Sequence, residues 1–293
     1  MPALLLLPLV ALLSAQPAPT PIADDVARMA AATTNEQRFE TMTSMLKARS
    51  LPFTIEPFTI PKPVGREPRT EGRNIVVTLG SGDGLVIAGA HYDAARLPDG
   101  SLSKGAVDNA ASSMLLIRAA EALRTEKLQV RVRFIWFDME ELGLLGSINY
   151  LQQHAGERTA AMLNFDVNGY GDTILFGPSE NPANANLRKT LVETCAAEAA
   201  RCIGFPQMPP SDDRPFVKMA VPTLSLAILP ALEAHQLWLM VNGGGNSGLA
   251  PGTAPAIMRT IHTAEDAPGK IKEEDAARML RFMTALLRAV APR

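Results

Sequence analysis

Apolar residues gather into short runs at Ile75–Leu79, Leu85–Ala90, Val130–Phe137, Met162–Val167 and Thr223–Leu229. Gly, Asp or Pro bounds each run, and none is long enough for a buried helix, so the pattern predicts strands. Longer stretches with helical spacing lie between and after them, at about Asn109–Arg124, Leu142–Gln153, Ala183–Ala200 and Glu273–Val290. In the last, Ala276, Leu280, Met283, Leu287 and Val290 fall on one stripe, as in a helix lying on a core. Thr34-Asn35-Glu36-Gln37 matches a capping box and opens a further helix through about Lys47. Strand–helix alternation predicts an α/β fold, a three-layer sandwich with a largely parallel, mixed central sheet flanked by helices. Residues 19–293 read as one domain, with Gly-rich 242–255 as a flexible surface insertion.

The first residues read differently. Ala3–Ala15 is an apolar run too short to span a bilayer and broken by Pro8, with small residues following. Residues 1–18 therefore read as a signal peptide, although no Lys or Arg precedes the run. Export implies a secreted or periplasmic protein with no membrane association after cleavage. A net charge of −2 gives no reason to expect nucleic acid as a partner. Cys195 and Cys202 fit either a reduced pair or one disulfide. On a continuous helix they would sit about 10 Å apart, so a bridge requires the helix to end near Arg201.

Against this background the polar residues stand out by position. Three expected strands run directly into acidic or imidazole groups: His91-Tyr92-Asp93, Asp138-Met139-Glu140-Glu141, and Asp166. Asp108-Asn109 starts a helix, and His262 precedes the last one. Carboxyl ends of strands in an α/β sheet converge on one crevice, where ligands bind. Singly, Asp108 reads as a helix cap and Glu140-Glu141 as a polar helix start. Together, several carboxylates in one crevice would repel one another and protonate unless a cation joined them. Imidazoles and carboxylates in this number suit a pair of zinc ions. The chain has only four histidines, and His154 and His235 fall outside every motif. His154 is expected at the surface.

The ordered set His91-Tyr92-Asp93, Gly105-Ala106-Val107-Asp108-Asn109-Ala110, Glu140-Glu141-Leu142-Gly143-Leu144-Leu145-Gly146-Ser147, Asp166 and His262-Thr263-Ala264-Glu265-Asp266 resembles the di-zinc exopeptidases. That family includes secreted bacterial aminopeptidases and glutamate carboxypeptidases, with glutaminyl cyclases on a related fold. The resemblance runs from about Asn74 to the C-terminus. It implies two zinc ions per chain, with Asp108 bridging them, His91 and Asp166 completing one site, and Glu141 and His262 the other. It also implies a cis peptide at Asp108–Asn109. Asp93 would accept the second ring N–H of His91, and Glu140 would be general base on zinc-activated water. The implied substrate is a peptide with a free N-terminus.

Two departures bear on the substrate. Relatives often carry Ser-Asp-His before Pro-Phe, whereas this chain has Ser211-Asp212-Asp213-Arg214-Pro215-Phe216, which places Asp213 as an anionic contact at the pocket rim. Ile261 stands where some relatives have Tyr, so a phenolic oxyanion donor is missing there. The rival readings are a single-zinc glutaminyl cyclase and a catalytically inactive binding ectodomain. An acidic-residue carboxypeptidase would need several basic residues, and Arg214 alone can be placed near the site.

Overall fold

A computed structural model describes residues 20–244, 247–250 and 252–291. The expected leader, residues 1–18, lies outside them, as does part of the expected insertion at 242–255. The chain opens with two helices, α1 (Ile22–Ala30) and α2 (Asn35–Ala48), then two strands, β1 (Thr54–Thr59) and β2 (Glu71–Leu79). Next come β3 (Leu85–His91), α3 (Ala111–Leu123), β4 (Arg131–Phe137), α4 (Leu145–Gln153) and β5 (Ala161–Phe165). The second half holds β6 (Thr173–Gly177), α5 (Ala185–Ala197), β7 (Arg201–Gly204) and α6 (Asp213–Lys218). It closes with β8 (Thr223–Leu229), α7 (Ala231–Asn242) and α8 (Glu273–Val290).

All eight strands form one sheet in the order β1-β2-β4-β3-β5-β8-β6-β7. Its centre, β4-β3-β5-β8, is parallel throughout. Antiparallel pairing enters at β1–β2, β2–β4 and β6–β8. Every residue of β3, β5 and β8 is buried, as expected for parallel strands covered on both faces. One face packs Ala88, Ala90, Phe134, Trp136 and Leu163 into the large core shared with α1, α3, α5 and α8. The opposite face buries Ile87, Ile135, Phe137 and Met162 against Tyr150 of α4 and Phe216 of α6. The three layers anticipated from the alternation are present.

Several boundaries differ from expectation for local reasons. The stretch from Leu142 begins as a turn, because Gly143 and Leu144 take left-handed backbone angles and α4 starts only at Leu145. The buried stripe of α8 is Ala276, Met279, Phe282, Met283, Leu286 and Leu287, so Leu280 and Val290 sit at its margin. The cap of α2 has Thr34 Oγ1 accepting from Gln37 N at 3.1 Å, while the Gln37 side chain accepts from Thr33 rather than Thr34. Helix α5 ends at Ala197, Ala199 turns left-handed, and β7 begins at Arg201. That early stop brings Cys195 and Cys202 to a Cα separation of 6.3 Å, and they form a disulfide. Strands β1, β6 and β7 and helices α1, α6 and α7 went unassigned by the apolar pattern.

Candidate metal centre

Strands β4, β3 and β5 lie side by side and parallel, so their carboxyl ends open at one place. His91 is the last residue of β3, Asp138–Glu141 follow β4, and Asp166 follows β5. Asp108 comes from a π-type turn, Ala106–Ala110, that leads into α3. The Asp108–Asn109 peptide is cis. Three side chains fix this turn and its neighbours. The Asp266 carboxylate accepts from Val107 N at 2.7 Å and Asp108 N at 3.1 Å. Asn109 Nδ2 donates to Phe165 O at 2.9 Å, and Ser113 Oγ to His91 O at 2.8 Å.

The two oxygens of Asp108 face different imidazoles. His91 Nε2 lies 3.1 Å from Asp108 Oδ1 and 3.5 Å from Asp166 Oδ1. His262 Nε2 lies 3.1 Å from Asp108 Oδ2 and 3.0 Å from Glu141 Oε2. Two groups thus result, His91/Asp108/Asp166 and Asp108/Glu141/His262, each with donor atoms within 4.8 Å of one another. His91 Nε2, Glu141 Oε1 and Asp166 Oδ1 are buried atoms that no hydrogen bond reaches. Buried polar atoms normally find partners, and divalent cations satisfy clusters of imidazole and carboxylate. The residues present fit zinc.

Electrostatics reflect the crowding. Burial opposes charge on His91, yet Glu140, Asp108 and Asp166 hold its pKa well above the ordinary value. Burial would also raise Asp108, but the imidazoles of His262 and His91 that face its two oxygens pull it below the usual carboxylate range. Glu141 is pushed up to about 7 by burial and by the charge of Asp108. Burial drives Glu140 well above its normal value, and although His91 opposes this, Asp212, Asp166 and Glu141 add to it. His262, 55% exposed, is raised to about 11 by its hydrogen bonds to Asp108 and Glu141.

Asp93 sits differently from expectation. The His91 ring Nδ1 faces the main-chain oxygen of Asp93 at 3.2 Å, with the carboxylate farther off at 3.5 Å. That carboxylate instead accepts from Glu140 N at 3.1 Å and Glu141 N at 3.2 Å. It therefore fixes the backbone from which both glutamates diverge. Asp213 needs a larger correction. Its side chain is only 1% exposed at the start of α6 and accepts from Ser211 N at 3.2 Å, so it is no rim contact. Burial lifts it to about 7. The neighbouring Asp212 is fully buried and faces the same acidic cluster, where burial raises it to about 8. Neither Asp212 oxygen has a hydrogen-bond partner among the described residues, and the nearby Ser147 hydroxyl donates to Leu144 O at 3.1 Å.

Arg38 of α2 is a functional neighbour that the sequence did not reveal, since an Arg on an amphipathic helix reads as surface. It is fully buried and donates to Tyr92 O at 2.6 Å, Lys104 O at 2.9 Å and Gly105 O at 3.4 Å. Burial lowers it to about 10 against the pull of Asp93, Asp266, Asp108 and Glu141. His154 is half-buried rather than surface, stacked on Tyr150 and paired with Glu56 and Glu157. His235 is exposed and its ring Nδ1 faces Ala231 O of its own helix at 2.7 Å.

Beside the cluster a cavity of about 220 Å³ opens. Asp108, Glu140, Glu141, Asp166 and His262 line its polar end, and Ile261 lines it too. Most of the remaining wall is apolar, with Met208, Leu229, Leu237, Ile257 and Met258.

A probable leucine aminopeptidase of Trichophyton verrucosum is 32% identical over 126 residues, 39% of this chain. The match spans 35% of that relative's length. The fold resembles the Legionella pneumophila LapA aminopeptidase, with TM-score 0.66, 16% identity, and 93% of this chain and 71% of that one covered. It also resembles Porphyromonas gingivalis glutaminyl cyclase, with TM-score 0.70, 16% identity and coverage of 92% and 97%. A match to Peptidase family M28 extends over residues 74–287, from β2 into α8, and takes in both His-and-carboxylate groups. The chain belongs to Peptidase family M28.

Proposed function

We propose that the chain is a peptidase that holds two zinc ions and releases apolar residues from the free N-termini of peptides. The observation that carries this reading is the pair of His-and-carboxylate groups sharing Asp108 at the mouth of an apolar cavity. One ion would be held by His91, Asp108 and Asp166, the other by Asp108, Glu141 and His262. Zinc there supplies Lewis-acid polarisation of the scissile carbonyl and a more acidic water.

The chain's own residues do the rest. Glu140, its main chain tied to Asp93, turns its carboxylate into the polar end of the cavity. There it takes a proton from the attacking water and returns it to the leaving amine. Glu140 and Asp166 also give the negative surroundings that a substrate ammonium needs. Ile261 offers no proton to the developing oxyanion and serves as part of the apolar wall. The wall suits an aliphatic or aromatic side chain, in keeping with relatives named leucine aminopeptidases. Residues 1–18 act as an export leader in this reading, and the Cys195–Cys202 disulfide suits an oxidising compartment outside the cytoplasm.

The test is a panel of free and N-acetylated aminoacyl substrates, run with elemental analysis of the same preparation. About two zinc ions per chain and cleavage of free leucyl but not acetyl-leucyl substrate are expected. Equal cleavage of both removes the requirement for an N-terminus. One ion per chain with cyclisation of N-terminal glutamine gives the cyclase reading, and bound peptide without turnover gives the inactive ectodomain.

A further inference from the structure

Glu233 of α7 joins two segments that flank the cavity. Its Oε1 accepts the Tyr170 hydroxyl at 2.6 Å and its Oε2 accepts Ile257 N at 2.8 Å. Among the described residues it makes no ion pair, so both oxygens serve these two neutral donors. Tyr170 lies four residues beyond Asp166, on a loop held by Asn168 N to Val107 O at 3.4 Å and Gly171 N to Asp275 Oδ2 at 3.0 Å. Ile257 opens the turn that ends at His262. Its carbonyl accepts from Thr260 N at 2.9 Å and Ile261 N at 3.0 Å, while its buried side chain forms cavity wall. His262 itself is more than half exposed, so the turn that carries it is held largely by its main-chain contacts.

We propose that Glu233 is a positioning residue that clasps the loop after Asp166 to the turn bearing His262. The clasp sets how far apart the two metal positions stand and how wide the apolar chamber beside them opens. This rests on the reading that Asp166 and His262 each hold zinc. A carboxylate reaching two donors from one helix is a strong anchor, and it acts on Asp166 and His262 through the two loops it joins rather than by touching either side chain.

Hydrogen exchange on the metal-free protein tests the clasp without relying on zinc. In Glu233→Ala, residues 256–262 should exchange about tenfold faster, with the central strands unchanged. In the zinc-loaded protein, one ion should pass to a competing chelator about tenfold more readily. KM for a leucyl substrate should rise by more than kcat falls, because the chamber wall and the His262 turn loosen together. Glu233→Gln should recover most of this, since its carboxamide keeps an acceptor for Ile257 N and a donor toward the Tyr170 oxygen. Unchanged exchange and zinc retention in Glu233→Ala overturn the clasp. Uniformly faster exchange over the whole chain overturns it as well, because Glu233 would then merely support the fold. An unmodified protein that binds no zinc overturns the metal reading instead and leaves the exchange result to decide the clasp.

Discussion

Glu140 and Glu141 are adjacent yet are assigned opposite duties, and Asp93 is what separates them. With both main-chain N–H groups held on one carboxylate, the two side chains leave in different directions. Glu140→Gln should therefore keep zinc and stability but lose peptidase activity by about 10²-fold or more, the usual scale of a lost general base. Glu141→Gln should release zinc instead. Elemental analysis beside kcat separates the two, and a common loss of zinc would reverse the assignment. The buried acids make a second prediction. Asp212 and Asp213 are raised from 3.8 to about 8 and about 7 by burial. A carboxyl with a raised folded pKa binds its proton more tightly when folded, so stability falls as pH rises from about 4 through 8. Metal-free protein should melt at a lower temperature at pH 8 than at pH 5, and Asp212→Asn should flatten that slope. A Tm that climbs over this range would contradict the burial argument.

At the scale of elements, the metal-facing loops depend on close approach of backbone. A Cβ on Gly146, at the start of α4, would lie 2.3 Å from Asp138 O and 2.6 Å from Asn74 Oδ1. Asn74 bridges that contact, donating to Gly146 O at 2.9 Å and accepting from Asp138 N at 3.1 Å. Gly146→Ala should destabilise the protein by about 2 kcal/mol, in the range of overpacking, and also lower zinc affinity because the loop bearing Glu140 and Glu141 shifts. Chemical denaturation and zinc titration of the same variant check both effects. The motifs around His91, Asp108, Glu140 and Asp166 were legible because each interrupts an apolar run where polarity is costly. The central strands were legible for the same reason. Edge strand β1, Thr54–Thr59, was not, since most of its residues are exposed and Pro57 stands within it. Asp213 misled because two adjacent acids in a loop-like stretch read as solvated, whereas both Asp212 and Asp213 are buried. The short helix α6, which opens at Asp213, packs this stretch inward.

Across the whole molecule, the parallel centre of the sheet brings distant residues to one edge. Segments spanning His91 to His262 meet there although they come from five parts of the chain. Arg38 arrives from outside this scheme, on α2, and stands under the acidic cluster as a buried guanidinium. Its partners are three main-chain carbonyls, none of them a candidate zinc donor, so it is held whether or not metal is bound. This bears on the order of maturation. A cluster balanced by zinc alone would have to wait for the ion before the surrounding chain could settle. With a resident cation already in the core, the chain can assemble first and take up zinc afterwards from whatever supply it meets. Metal-free protein should therefore show native far- and near-ultraviolet circular dichroism and regain activity on adding zinc without a refolding step. Arg38→Met should lose that property, folding well only when zinc is present from the start.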